Sequence, residues 1–374
     1  MNRERRFLLS FFGAKNLGDD LMLLCLERWL KRFGVRVALL TEEPERTAAL
    51  YPQYETVRNV PLLGEWAWFD TWFRGKAVKL LSAMREYDGL VTGGGDFIRD
   101  DFSRAAFLFS IEKLLISRAL GRPAYLMNTG LGEMRTGLGR ALTPHALRSC
   151  RQIVVRDRRS LAICERAGVA ASYAPDIVYS LPQLFPEQCR AGRAEVGIEG
   201  SYALICLRAH ANVYGQYAMT PQRMQALAQA LDRLAAGGRT LAFFPLQSHD
   251  AEDDHKIHAE LRQLLRPETK TVMLGWTSRI PEVANLFARA DLVIAMRLHA
   301  AILAAAFERP CAILPYDHKL REFAAQRGNP YLVEASSLDR AEETAAIFER
   351  ALANPATVPS QPPPADWMRL ELKP

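Results

Sequence analysis

The segment Leu292-Val293-Ile294-Ala295-Met296-Arg297-Leu298-His299 carries the sharpest chemical signal in this chain: an apolar strand delivers an arginine and a histidine to the point where a helix begins. A guanidinium is a planar fork matched to carboxylate or phosphate, and a helix N-terminus adds N–H groups and the positive end of a dipole. The same residues admit a plainer reading, in which Arg297 pairs with a buried acid and His299 caps the helix. Recurrence favours the anion site, because Arg208 ends the apolar run Leu204–Leu207 and Arg156 ends Ile153–Val155. Three strands ending in arginine predict a ligand with more than one negative charge. Arg156, followed by Asp157 and two more arginines, fits a surface charge cluster equally well. Lys319, in Pro315-Tyr316-Asp317-His318-Lys319, follows a further strand, where it would supply a mobile point charge or simply a solvated helix start.

In the N-terminal half, Gly13-Ala14-Lys15-Asn16-Leu17-Gly18-Asp19-Asp20 joins strand to helix without the G-x-G-x-x-G or G-x-x-x-x-G-K-[ST] spacing, so nicotinamide and nucleoside-triphosphate chemistry lose their usual support. Asn16 and Asp19 could bond sugar hydroxyls, while Asp19 or Asp20 could equally be an ordinary N-cap. Gly93-Gly94-Gly95-Asp96 would let backbone approach a ligand, as it would also make a tight turn. The seven histidines are dispersed, His255 and His258 read as the solvated face of a hydrophilic helix, and no metal set or serine nucleophile elbow emerges. Trp66, Trp68, Phe69, Trp72 and Phe73, followed by Arg74, Lys76 and Lys79, suit a peripheral contact with a membrane interface; an aromatic stripe also suits a buried amphipathic helix, the commoner use of such stripes.

These residues need a scaffold, and the chain supplies a steady alternation of short apolar runs, polar turns and amphipathic helices, the pattern of parallel sheets covered by helices. Strands are expected at Phe7–Phe12, Val35–Leu40, Gly89–Val91, Ala124–Asn128 and Ile153–Arg156, then at Tyr202–Leu207, Thr240–Phe244, Thr271–Leu274, Leu292–Ala295 and Cys311–Leu314. Between Leu181 and Gly200 the rhythm lapses into prolines, glycines and charges, a linker. The expected architecture is α/β: two Rossmann-like, doubly wound domains facing a cleft, over residues 1–185 and 198–350, with a C-terminal tail at 351–374. At 374 residues the chain exceeds what one core usually supports.

Composition excludes several classes. Hydrophobic residues are 49% and no stretch reaches the roughly 20 apolar residues of a bilayer span, and the short apolar run near the start is not a secretory signal, so a soluble, cytoplasmic protein is expected. Six cysteines lie far apart and read as small buried hydrophobes. The net charge of +6 is scattered rather than massed, which favours an anionic small molecule or membrane surface over nucleic acid.

Taken in order, Phe12 to Asp20, Gly93-Gly94-Gly95, Arg156-Asp157 with Ser160, Pro175-Asp176, Arg208, Met296-Arg297-Leu298-His299-Ala300, Tyr316-Asp317 and Lys319 resemble the landmarks of the polysaccharide pyruvyl transferase family, over roughly Phe7 to Gly328. The resemblance implies a fold like that of two-domain GT-B glycosyltransferases, phosphoenolpyruvate as donor, no cofactor or metal, and a sugar on a cell-surface glycan or lipid-linked precursor as acceptor. It carries over Arg208, Arg297, Leu298 and His299 as donor contacts, with Lys319 and Arg156 beside them. Asn16, Asp19, Gly94 and Gly95 fall on the acceptor side. His299 would be the general acid and Asp19 would receive a hydroxyl proton; histidine suits the first task because its ordinary pKa is near ~6.5. Two other readings stay open: a nucleotide-sugar-dependent glycosyltransferase of the same architecture, and a non-catalytic glycan-binding subunit.

Overall fold

In a computed structural model the chain is described at residues 4–10, 15–63, 71–101, 103–191, 197–209, 218–249 and 252–355. These fall into two compact units, one running within 4–10 and 19–177, the other within 15–18 and 178–355.

In chain order the first unit contains β1 (Arg5–Ser10), α1 (Leu17–Lys31), β2 (Val35–Thr41), α2 (Pro44–Leu50), β3 (Thr56–Arg58), α3 (Lys76–Glu86), β4 (Gly89–Gly93) and β5 (Asp96–Ile98). It continues with α4 (Arg104–Ala119), β6 (Ala124–Leu131), α5 (Gly137–Ser149), β7 (Cys150–Val155), α6 (Arg158–Arg166) and β8 (Ser172–Tyr173). Its sheet has the order β3-β2-β1-β4-β6-β7-β8, with β5 paired to β6, and its pairs are parallel. The strands at its centre, including Phe7–Leu9 and the whole of β6, are buried, as expected of parallel strands covered on both faces. The order reverses between β1 and β4, which makes their carboxyl ends the topological switch point.

The second unit contains two short helices, α7 (Leu181–Leu184) and α8 (Pro186–Ala191), then β9 (Tyr202–Cys206), α9 (Pro221–Ala235), β10 (Thr240–Phe243), and a two-stranded ribbon of β11 (Ser248–His249) and β12 (Glu252–Asp253). There follow α10 (Asp254–Leu264), β13 (Thr271–Met273), α11 (Ile280–Arg289), β14 (Leu292–Ala295), α12 (Leu298–Ala306), β15 (Cys311–Ile313), α13 (His318–Arg327), α14 (Ala335–Leu338) and α15 (Ala341–Ala353). Its five-stranded parallel sheet has the order β13-β10-β9-β14-β15, so the switch point lies between β9 and β14. Every residue of β9 and β14 is buried.

Two boundaries differ from the sequence reading. The second unit takes over at 178 rather than after 185, because Leu181–Leu184 and Pro186–Ala191 are helical and α8 packs on α11. Residues 15–18, which in sequence belong to the first βα turn, group with the second unit. Residues 356–374, most of the expected tail, lie outside the described residues.

Candidate active site

The two strands that flank the switch point of the second unit each end in an arginine. Register pairs Ala295 with Cys206, and Met296 donates its N–H to the Cys206 carbonyl at 2.9 Å, so Arg208 and Arg297 leave the sheet side by side. Arg208 is half-buried and packs its guanidinium over the Tyr316 ring, 4.7 Å from the centroid, while Nη1 donates to the Tyr316 hydroxyl. Burial pushes that hydroxyl up to about 12, so Tyr316 stays neutral. Tyr316 precedes Asp317, whose carboxylate accepts from the Lys319 and Leu320 amides at 3.1 and 3.3 Å and so starts α13 with Lys319 in its first turn.

Arg297 behaves differently from the expectation that its guanidinium addresses a ligand. Nε and Nη2 donate to the two oxygens of Asp254 at 3.1 and 2.6 Å, and Nη1 donates to Gln247 Oε1 at 2.8 Å. The physical reason is burial: Arg297 is 8% exposed, and a guanidinium at that depth requires a counter-charge. Asp254, fully buried, also accepts from the backbone N–H of Ala209 at 3.1 Å, Leu246 at 3.2 Å and Gln247 at 3.0 Å. One carboxylate therefore ties the chain after β9, the chain after β10 and the chain after β14.

The 15–18 segment is bound into the same place. Leu17 donates to the Leu246 carbonyl at 2.8 Å, Ser248 donates to that of Lys15 at 3.2 Å, and Asn16 bridges to Gln247. The Asn16 side-chain oxygen accepts from Gly18 N–H at 3.1 Å, so it helps start α1. His299, second residue of α12 after Leu298, lies against Gly18 so closely that a Cβ there would stand 2.0 Å from its Nδ1. The structure thus brings Asn16, Arg208, Arg297, Leu298 and His299 to one end of the second unit's sheet, with Lys319 starting the helix that follows Tyr316.

In the first unit, Asp19 lies beside the glycine turn: a Cβ on Gly95 would be 3.6 Å from Asp19 Oδ1. Gly94 and Gly95 have φ of 91° and 47°, the left-handed region that favours glycine, and their carbonyls accept from the Thr129 hydroxyl at 3.0 and 3.4 Å. Gly93 permits close packing as well, since a Cβ would meet Leu26 and the Met127 carbonyl at 2.7 Å. Arg156 is held in an ion pair: Nη1 meets Asp176 Oδ2 at 3.0 Å with both side chains below one-tenth exposed. Asn128 completes that turn by donating to the Ala174 and Pro175 carbonyls at 3.2 and 2.8 Å and accepting from Ile177 N–H at 2.7 Å.

Asp20, next to Asp19, is fully buried, and burial pushes its carboxyl up to about 8; the Tyr51 hydroxyl works against this, Asp19 adds to it and Arg46 opposes it. The folded state therefore keeps a proton that the unfolded chain releases near pH ~3.9. Between those values the folded state binds more protons, so stability is full below the unfolded pKa and is lost as pH rises toward 8, by up to about 1.4 kcal/mol per pH unit. Asp20→Asn is expected to flatten that slope, matching wild type near pH 4 and exceeding it near pH 8 in urea titrations; parallel curves at both pH values would contradict it.

Two sequence expectations fail on burial. His258 is not on a solvated face but fully buried, with Nε2 accepting from Leu207 N–H at 3.2 Å and its pKa pushed down to about 3 by burial, the positive charges of His255 and Arg297 adding to this. Phe73 is 84% exposed, so the buried amphipathic helix does not extend to it, and Trp66 and Trp68 lie outside the described residues. Sequence reasoning missed Asp254 and Gln247; the signal for Asp254 was an acid at a helix start in a chain that had to neutralise a strand-end arginine.

The architecture is that of GT-B glycosyltransferases and epimerases. The chain is similar to UDP-GlcNAc 2-epimerase from Methanocaldococcus jannaschii, with 16% identity, a TM-score of 0.62, and 93% of this chain and 92% of that one covered. It is similar also to UDP-GlcNAc 2-epimerase from Neisseria meningitidis, with 12% identity, TM-score 0.59 and coverage of 96% and 94%. Acinetobacter baumannii MurG gives 12%, 0.50, 94% and 95%. The family itself follows from residues 16–318, which match the model of the polysaccharide pyruvyl transferases: this chain belongs to that family. It is an enzyme of polysaccharide biosynthesis, a transferase whose acceptor is a sugar of a polysaccharide or glycan precursor. No helix among the described residues is long and apolar enough to cross a membrane, and no group of potential metal ligands occurs among them.

Proposed function

We propose that the donor is phosphoenolpyruvate and that the product is a pyruvyl ketal bridging two hydroxyls of the acceptor sugar, formed without metal or cofactor. Phosphoenolpyruvate is a compact polyanion. Its methylene carbon must take a proton while C2 becomes cation-like and is attacked by one sugar hydroxyl. A second hydroxyl then displaces phosphate. Two hydroxyl protons leave the sugar: the methyl group gains one in net terms and phosphate carries the other. Such a reaction needs cations on carboxylate and phosphate, an acid near the methylene, and a base for the hydroxyls.

The observation that carries this reading is the end of the β9/β14 pair, where Arg208, held on neutral Tyr316, and His299, at the N-terminus of α12, lie at a switch point. In this assignment Arg208 and Lys319 are the principal cations for the donor. Leu298 and His299 frame it, with His299 as general acid. Arg297, its charge balanced by Asp254, acts as a positioning residue. Asp19, following Gly18 in sequence and beside Gly95, receives a hydroxyl proton; Asn16, Gly94 and Gly95 shape the acceptor side.

Incubating the purified protein with phosphoenolpyruvate and a panel of glycosides and lipid-linked sugars, and reading both phosphate release and acceptor mass, is expected to give phosphate together with a pyruvylated sugar. Arg208→Ala should lower turnover by on the order of 100-fold or more, the effect of removing one charge-stabilising donor. Nucleoside diphosphate released from a nucleotide sugar, with phosphoenolpyruvate left intact, would replace this reading with a glycosyltransferase.

A further inference from the structure

A strand that leaves its sheet takes its backbone donors out of the ladder, and buried N–H groups must then find other acceptors. β9 meets its last sheet partners at Ile205 and Cys206, opposite Phe243 of β10 and Ala295 of β14. The next three amides each find a side chain. Leu207 N–H donates to His258 Nε2 at 3.2 Å, Arg208 N–H to Met296 Sδ at 3.4 Å, and Ala209 N–H to Asp254 Oδ1 at 3.1 Å. Arg208 is therefore the middle residue of a segment whose main chain is held before and after it by one helix. Asp254 and His258 stand four residues apart on α10 and so share one face of it. That face is rooted in the core: both are fully buried, Ile257 and Leu261 are buried on the same helix, and the His258 ring lies 5.5 Å from the Phe243 ring.

Histidine is an unfavourable filler for that position. An imidazole that accepts at Nε2 carries its proton on Nδ1, and His258 Nδ1 has no hydrogen-bond partner among the described residues. A leucine would bury no unsatisfied donor of its own. What leucine lacks is the acceptor for Leu207. Burial keeps the ring neutral, so that acceptor is present at any pH near neutrality. Packing alone thus does not account for the residue type, and the amide it serves lies one position from Arg208. We propose that His258 is a positioning residue for the donor site: by accepting the Leu207 N–H, while Met296 and Asp254 hold the next two amides, it fixes the main chain from which the Arg208 guanidinium reaches the donor. This deepens the assignment above and rests on Arg208 being a donor contact.

The test is a double-mutant cycle on kcat/KM for the donor, with melting curves to confirm that each variant is folded. His258→Leu is expected to lower kcat/KM by about tenfold, the effect of stranding one buried amide. His258→Gln, whose side-chain oxygen reaches the place of Nε2, should recover most of that loss. In an Arg208→Ala background the leucine substitution should change nothing further, because the guanidinium it misplaces is gone. Met296→Leu, close in volume, should lower kcat/KM by a smaller factor and likewise only while Arg208 is present. Wild-type kcat/KM in His258→Leu, or a second loss of the same size in the Arg208→Ala background, would overturn the proposal. Hydrogen exchange reads the same contact without any donor: the Leu207 amide should exchange about tenfold faster or more in His258→Leu than in wild type or His258→Gln, and equal exchange in all three would also overturn it. Failure of the donor reading looks different. Wild type would then release no phosphate from phosphoenolpyruvate while the exchange difference at Leu207 remained, and the cycle would be read on the nucleotide sugar consumed instead.

Discussion

Asp254→Ala is expected to remove most of the protein's stability, lowering the free energy of unfolding by roughly 3–5 kcal/mol in urea titrations, and to abolish turnover in whatever fraction stays folded. The substitution strands the Arg297 guanidinium, whose Nε and Nη2 both donate to that carboxylate. It also leaves the buried amides of Ala209 and Leu246 and the amide of Gln247 without their acceptor. Since marginal stability is on the order of 5–15 kcal/mol, a loss of this size is large. Asp254→Asn is the discriminating partner experiment: it keeps an oxygen for the amides but cannot neutralise the arginine. Its stability should fall less than that of the alanine variant while its turnover falls nearly as far, because strand-end loops that remain folded no longer hold Arg208 and His299 in register. An alanine variant as stable as wild type would show that the ion pair is not what organises this end of the sheet.

The sequence made the strands plain because parallel strands buried on both faces must be continuous apolar runs: Leu292–Ala295 is a strand over the residues expected, and Tyr202 and Thr240 begin β9 and β10 as expected. It also placed Arg208 and Arg297 at strand ends, which periodicity alone reveals. What it could not give was the partner of each cation. Arg156 and Asp176 are 20 residues apart in sequence, and Arg297 and Asp254 are 43 apart, so their pairing depends on which strands become neighbours. Asp254 was hidden further by its context, a polar stretch of acids and histidines that looks like solvated surface until His258 and Asp254 prove to be fully buried. The capture of residues 15–18 by the second unit was equally illegible, resting on backbone bonds from Leu17 to Leu246 and from Ser248 to Lys15 that no side-chain pattern announces. The family resemblance supplied the order of the landmarks; the structure separates those that pair with each other, Arg156 with Asp176, from those gathered at the switch point.

The second large effect is expected at Gly18, where the missing side chain is itself the requirement. A methyl there would lie 2.0 Å from His299 Nδ1, 2.5 Å from Cε1 and 2.6 Å from Cγ, distances no real Cβ tolerates, so the imidazole or the 15–18 segment must move. The segment is fixed by its backbone bonds to Leu246 and Ser248, which makes the ring the part that yields. A displacement of about 1 Å in a group that transfers a proton can reduce turnover on the order of 100-fold. Gly18→Ala should therefore lower kcat by about that factor with a smaller change in the KM for donor, since Arg208 and Tyr316 lie outside the clash. Thermal stability should fall only modestly. Gly237→Ala provides the control, because a Cβ there meets nothing within 4 Å, and it should leave both parameters unchanged. If Gly18→Ala kept wild-type kcat with a folded protein, the ring of His299 would have room to move without consequence, and its assignment as the acid would have to be given up.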